Sequence, residues 1–392
     1  MQIGLMGFGT IGSGVYELIN SKMSDIKVKK ILVRGLKGRD SLLFTTDREE
    51  ILNDNEIDTI VIAIGDNDVA YEIATEALKR GKNVVSANKE IVANHLAEFI
   101  ELANENNVKF RFESTVGAGL PWIKTLSEYG KINNISKVYG NFNGTSNFIL
   151  DMMKRDGIDF KEALLKSRIL RYQEPDYFDD ITGVDSRNKL IISMMLAFNK
   201  YVVPEDIPTY GIQNIRNLDF GFFERHKLTP KLMSYAMIDN DKIAAIVAPT
   251  LYEQSTLRAN VRGNNNMLGM VGDIIGEVQI IGEGAGKYSA SNGVLLDLIE
   301  IINGDDIKLT LPEKAKIDET RITHRFYFSF DQGSYKIERI LLPYVHSIFE
   351  TQDSFVITTR NISLDTCIDL LEKIEDTDER FFFAVYGDGE LS

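Results

Sequence analysis

Near its amino end the chain reads Gly7-Phe8-Gly9-Thr10-Ile11-Gly12, directly after the apolar run Ile3 to Met6 and before Val15, Leu18 and Ile19 at helical spacing. Strand, glycine turn and helix in that order leave few folds open. Gly7 allows the tight turn, Gly9 lets the backbone approach a pyrophosphate, and Gly12 lets helix and strand pack closely. The first turn of the helix presents amide donors and a partial positive charge, which suits phosphates. A glycine turn without a ligand is the alternative.

The pattern continues for about 115 residues. Val28 to Val33, Thr59 to Ile64, Asn83 to Ser86 and Lys109 to Glu113 read as strands. Ala70 to Lys79, stopped by Gly81, and Ile91 to Ala103 read as helices. Alternating strand and helix predicts an α/β chain with a parallel, doubly wound sheet. Beyond Pro121 the order changes. Lys137 to Phe142, Ser234 to Ala248 and Glu277 to Glu283 are strand-like, and Asn147 to Lys154, Asp159 to Leu170, Val184 to Phe198 and Gly293 to Asn303 are helical. An acidic loop over 173–183 lies among them. This predicts an α+β region. From about 321 a third pattern appears: strands Arg325 to Phe330, Ser354 to Thr359 and Arg380 to Tyr386, with helices Tyr335 to His346 and Ser363 to Ile374. That β-α-β-α-β order predicts a small module.

Composition narrows the function classes. With 392 residues, 44% hydrophobic and 26% charged, the chain is globular and long enough for two or three domains. A net charge of −14 repels a phosphate backbone, so no nucleic-acid partner is expected. The single cysteine, Cys367, permits no intrachain disulfide and fits a reducing compartment. His95, His226, His324 and His346 are scattered, without zinc spacing. No apolar run spans a bilayer and the chain opens without a charged leader, so a soluble cytoplasmic protein, with no membrane partner, is expected.

Asp185 and Lys189 are spaced i, i+4 and share one face of a helix whose later residues, Leu190 to Phe198, are almost all apolar. A charged pair on a helix that buries itself usually has a chemical reason. Desolvation, or a second cation such as Lys89, would bring a lysine nearer neutral and make it a usable acid or base. A structural ion pair is the competing reading.

Four further segments stand out: Ser86-Ala87-Asn88-Lys89-Glu90; Glu113 to Pro121 with its glycines; Gly140 to Leu150, containing Asn143-Gly144-Thr145; and Glu174-Pro175-Asp176 with Asp179, Asp180, Gly183, Asp185 and Lys189. With the amino-terminal glycine turn, their order resembles that of homoserine dehydrogenases over about residues 1 to 310. The resemblance implies a Rossmann-type dinucleotide-binding domain over 1–120 with a return segment at about 284–312. It further implies a catalytic and dimerisation domain over 121–283, and an ACT-like module over 320–392. It implies reversible hydride transfer between L-homoserine and L-aspartate 4-semialdehyde, on the route to threonine and methionine, by a homodimer or homotetramer.

Carried over by residue, Lys189 resembles the general acid/base, Asp185 the residue orienting it, and Lys89 the lysine between nicotinamide and substrate. Glu174 and Asp180 resemble the carboxylates on the substrate side, with Gly144 and Thr145 the substrate turn. Gly7, Phe8, Gly9, Thr10, Ile11, Gly12, Arg34, Ser86, Lys89 and Gly284 resemble cofactor contacts. In the family a sodium ion is held by backbone carbonyls, here matching Val116, Ala118 and Leu120, with an oxygen of Glu113. Arg34 follows the second strand, with Lys37 and Arg39 nearby, where an NAD site would carry an acid. Cations there favour NADP, with NAD the alternative.

There are departures from the family pattern. Ser289-Ala290 stands where Pro-Thr is usual, so a threonine hydroxyl contact to the cofactor is lost or passes to Ser289. Asp331-Gln332-Gly333 is a blurred form of the ACT ligand loop, leaving an effector site and a dimer contact both open for the tail. A catalytically silent cofactor-binding sensor and another amino-acid-specific Rossmann oxidoreductase are the competing readings.

Overall fold

The computed structural model describes residues 1–36, 38, 40, 42–170, 177–304, 310–350 and 354–387. The first part alternates as β1 (Gln2–Met6), α1 (Thr10–Lys22), β2 (Lys27–Leu32), β3 (Phe44–Thr45), α2 (Glu49–Leu52), β4 (Thr59–Ile62), α3 (Asn67–Lys79), β5 (Asn83–Ser86), α4 (Lys89–Glu105) and β6 (Phe110–Arg111). The six strands are all parallel, in the order β3-β2-β1-β4-β5-β6. That is the doubly wound Rossmann order. Ile3, Leu5, Ile60, Val61, Ile62, Val84 and Val85 are fully buried, as strands covered on both faces require.

The chain then runs through α5 (Trp122–Tyr129), β7 (Ile135–Asn141), α6 (Gly144–Asp156), α7 (Phe160–Ile169), α8 (Phe178–Thr182), α9 (Val184–Phe198), β8 (Lys200–Tyr201), α10 (Asn217–Arg225), β9 (Leu228–Asp239), β10 (Lys242–Glu253), β11 (Asn265–Gly272) and β12 (Gly276–Glu283). The helix α11 (Lys287–Asn303) returns to pack on α1, where the Ser291 hydroxyl donates to the Ile11 carbonyl at 3.1 Å. The last part holds β13 (Glu313–Lys314), β14 (Thr323–His324), β15 (Phe326–Asp331), α12 (Tyr335–Leu341), β16 (Val345–Glu350), β17 (Ser354–Thr359), β18 (Ile362–Ser363), α13 (Leu364–Glu375) and β19 (Phe381–Tyr386).

One sheet of nine strands runs through both later regions, in the order β12-β11-β7-β9-β10-β19-β15-β17-β16. The join is a short parallel pairing of β10 with β19, Thr250 opposite Val385 and Leu251 opposite Tyr386. Side chains alternate across this sheet. Phe326, Phe328 and Phe330 enter the core shared with α12 and α13, whereas Tyr327 faces α10. Among the described residues no helix is long and apolar enough to cross a membrane.

Several elements differ from the sequence pattern. The stretch Ser234 to Ala248 is part of a hairpin, β9 and β10, turned at Asn240 and Asp241 with φ of 50° and 61°. Two positive φ values make the primed two-residue turn, which Asn and Asp tolerate. The helix expected over Tyr335 to His346 ends at Leu341, because Pro343 cannot continue it, and Val345 begins a strand. Within the nine-stranded sheet the tail therefore contributes β15-α12-β16-β17-α13-β19, a split βαβ arrangement in which β16 is the added strand, while the two-residue β14 and β18 pair apart from it. The strand expected to Glu113 stops at Arg111, and Glu113–Thr115 form a 3-10 turn.

Candidate active site

Parallel strands leave their ligands at their carboxyl ends, where the chain turns into each following element. Gly7 follows β1 there with φ of 105°, and its amide donates to the Leu32 carbonyl at 3.1 Å. A Cβ on Gly12 would sit 2.2 Å from the Gly7 carbonyl oxygen, so only glycine lets α1 come this close. Gly9 faces open space, and α1 has no side-chain cap at its amino end. The first-turn amides around Thr10 and Ile11 are thus left uncapped beside open space, a donor set that suits a pyrophosphate. Phe8 meets the rings of Tyr16 and Phe44 edge-on at 5.8 and 5.1 Å. Arg34 is exposed just beyond β2; Lys37 and Arg39 lie outside the described residues.

At the end of β5, Ser86 is fully buried and its hydroxyl accepts from the Asn88 amide at 3.1 Å, so that hydroxyl serves the turn. Asn88 caps α4, accepting from the amides of Glu90 and Ile91, while its own amide donates to the Ile64 carbonyl at 3.1 Å and Asn67 at 2.9 Å. This fixes the start of α4 and so the root of Lys89. Lys89 is partly exposed, yet its ammonium turns inward: Nζ lies 2.5 Å from Oδ1 of Asp185 on α9. Nζ of Lys189 lies 2.7 Å from Oδ2 of the same carboxylate. One aspartate, 1% exposed, thus holds two ammonium groups. Burial alone would raise its carboxyl, but Lys189 and Lys89 outweigh burial and hold it well below the usual carboxylate range.

Lys189 is 9% exposed and donates to the Phe142 carbonyl at 2.8 Å. Phe142 follows β7, and Asn143 caps α6, accepting from the Ser146 amide at 2.7 Å. The Asn143 amide donates to Asp180 at 2.6 Å and to Asp185 at 2.8 Å. Burial, and secondly the Asp185 anion, push the Asp180 carboxyl up to about 6 against the Asn143 bond. Gly144 and Thr145 are buried in the first turn of α6, and a Cβ on Gly144 would meet the Asn264 carbonyl at 2.7 Å. Glu174 lies outside the described residues. The Phe142 carbonyl and Asn266 belong to this cluster although the sequence reading gives them no role, and Asn143 enters that reading only within the turn motif.

The expected metal segment has a second use. The Glu113 carboxylate accepts from the amides of Ile123 and Lys124, each at 2.9 Å, so it caps α5. Burial pushes that carboxyl up to about 7 despite those amides. Ala118 is left-handed, with φ of 55°, and Val116 is fully buried. The Leu120 carbonyl accepts from Trp122 at 2.8 Å. Ser289 clasps this segment to the return segment, its hydroxyl accepting from the Gly119 amide at 3.2 Å and donating to the Glu283 carbonyl at 3.0 Å. A Cβ on Gly284 would fall 1.9 Å from Cγ of Asn266, so the glycine segment bears directly on that side chain.

Two family models match the chain: homoserine dehydrogenase, NAD binding domain, over residues 7–113, and homoserine dehydrogenase over residues 121–299. A homoserine dehydrogenase of Bacillus subtilis (strain 168) is 30% identical over 323 residues, 79% of this chain and 75% of the relative. The solved homoserine dehydrogenase of Thiobacillus denitrificans superposes with a TM-score of 0.87 at 28% identity, covering 99% of this chain and 98% of that one. A hyperthermophilic archaeal homoserine dehydrogenase mutant in complex with NADPH superposes at 0.67 and 25% identity, covering 78% of this chain and 99% of that one. Sequence, fold and the order of the site's parts agree, and the chain belongs to the homoserine dehydrogenase family.

Proposed function

We propose that Lys189 moves the proton in the reaction that family membership assigns to this chain, the reversible interconversion of L-homoserine and L-aspartate 4-semialdehyde. The observation that carries this reading is the meeting of Lys189, Asp185 and Lys89 at the carboxyl edge of the parallel sheet, where the glycine turn also lies. A lysine ammonium has three donors. Two go to the Phe142 carbonyl and Asp185, and among the described residues the third is left for the substrate oxygen. When bound, the nicotinamide gives or takes the hydride. Lys189 gives a proton to the aldehyde oxygen in reduction and takes it from the hydroxyl in oxidation. Asp185 orients that ammonium, and Lys89, on the nucleotide side of the same carboxylate, faces the nicotinamide and the substrate.

Asp180, with Glu174, receives the substrate's ammonium group, and the turn at Gly144 and Thr145 closes that side. Gly7 to Gly12, with Phe8, Ser86 and Gly284, form the cofactor cradle. Arg34, exposed beyond β2, suits a 2′-phosphate, so NADP is the cofactor we assign. With the Glu113 carboxylate taken by two amides, the carbonyl oxygens of Glu113, Val116, Ala118 and Leu120 are the donor set for a structural sodium ion; hard oxygens suit it. We assign residues 1–120 with the return segment to the dinucleotide, 121–283 to catalysis and assembly as a homodimer or homotetramer, and the tail to an ACT-like role. We assign the protein to the cytoplasm, a reducing compartment that suits its one cysteine, Cys367.

The test is Lys189→Ala, assayed with aspartate semialdehyde and NADPH. It lowers kcat by on the order of 100- to 10,000-fold while NADPH still binds. Wild-type turnover in the variant would discard the assignment.

A further inference from the structure

The Phe142 carbonyl serves two donors. Nζ of Lys189 reaches it at 2.8 Å and Nδ2 of Asn266, on β11, at 3.0 Å. A carbonyl oxygen has two lone pairs, so both bonds form together. The amide of Asn266 must face this way round, since its oxygen would repel another carbonyl. Asn266 is fully buried, and the backbone of Gly284 presses on its amide group. Its Oδ1 is buried and has no hydrogen-bond partner among the described residues. That oxygen lies 3.6 Å from where a Cβ on Gly144 would be, so it faces the turn at the amino end of α6. One side chain thus touches the late glycine segment, the substrate turn and the carbonyl that anchors Lys189.

We propose that Asn266 is a positioning residue for the proton transfer: by holding the Phe142 carbonyl it sets the direction of the remaining N–H of Lys189. The inference rests on the acid/base role of Lys189. Without the Asn266 donor, the carbonyl is free to tilt toward Lys189 alone and the ammonium follows it. An angular error in a reacting group costs rate without costing much binding.

The experiment measures kcat, KM and NADPH affinity from pH 6 to 9.5, with melting curves at each pH, for wild type, Asn266→Ala and Asn266→Asp. In Asn266→Ala, kcat falls on the order of 100-fold while both KM values and the NADPH affinity stay within about twofold. Asn266→Asp keeps the shape but changes the donor. Its carboxyl donates an O–H to the Phe142 carbonyl when protonated and repels that carbonyl when ionised. Lys189 meets it at the shared Phe142 carbonyl, and Asp185, Lys89 and Asp180 follow in the chain of contacts from Lys189, all present in the wild type as well. The ratio of its kcat to that of the wild type therefore falls as pH rises, through an ionisation that Asn266→Ala lacks. Wild-type kcat in Asn266→Ala, or a ratio for Asn266→Asp that is flat with pH, overturns the proposal. If Asn266→Ala melts below assay temperature, the pH ratio of Asn266→Asp decides alone. Wild-type turnover in Lys189→Ala would instead remove the reading beneath it, so the two failures are separable.

Discussion

At the scale of single residues, the site is a set of charges balanced around one carboxylate. Asp180 is the member whose ionisation falls within working pH, because burial and the Asp185 anion raise it to about 6. A protonated Asp180 cannot attract the substrate ammonium, so kcat/KM for homoserine falls as pH drops through about 6. Asp180→Asn removes that acid limb and lowers kcat/KM at pH 8 by roughly 10- to 100-fold, the value of a hydrogen bond to a charged group. A pH–rate profile of the variant that keeps the limb would assign it elsewhere. The Lys189–Asp185 pair is legible in sequence because residues four apart share one helix face, whereas a chemical role for it comes from the family resemblance. The pairing of Lys89 with the same aspartate is not legible, since nothing local links two residues that only tertiary packing brings together. Asn266 was illegible for a deeper reason: its partner is a backbone carbonyl, which has no letter.

Individual elements carry the cofactor, and there the glycines separate packing from binding. A Cβ on Gly12 would overlap the carbonyl of Gly7, a residue whose amide is held by Leu32, whereas a Cβ on Gly9 meets nothing within 4 Å. Gly12→Ala therefore pushes α1 off β1, costing about 1–3 kcal/mol as overpacking does, and weakens NADPH binding as well. Gly9→Ala leaves the melting temperature unchanged and weakens NADPH binding alone, by filling the space the pyrophosphate needs. Calorimetry with fluorescence titration checks both; a destabilised Gly9→Ala would contradict the packing described. Five of the first six strands are readable, β1 and β4 best because strands buried on both faces are nearly all apolar, whereas the two-residue β3 leaves no pattern. The β9–β10 hairpin has a signal the strand pattern passes over: Asp239-Asn240-Asp241-Lys242 interrupts the apolar run with the residues such a turn favours. The short strand after Pro343 was absorbed into a helix whose periodicity ran past its breaker.

For the molecule as a whole, the tail is tied to the catalytic region by a buried carboxylate. Asp219 on α10 is fully buried and accepts from the Tyr327 hydroxyl at 2.8 Å, from the Ser329 hydroxyl and from the Arg216 amide at 2.7 Å. Arg216 in turn pairs with Asp331, the first residue of the expected ligand loop. Asp219→Ala strands two buried hydroxyl groups, each costing about 1–3 kcal/mol, so unfolding free energy falls by about 3 kcal/mol or more. Urea denaturation followed by circular dichroism measures this; a change below about 1 kcal/mol would mean the tie is dispensable. The β10–β19 pairing has a consequence for anyone who shortens this protein. Cutting near residue 320 would not release a tidy smaller enzyme: it would strip the two-residue pairing from β10 and bare the sheet face the tail had kept dry. Such a raw margin invites stacking with other copies, so the trimmed chain should be recovered as aggregate rather than catalyst.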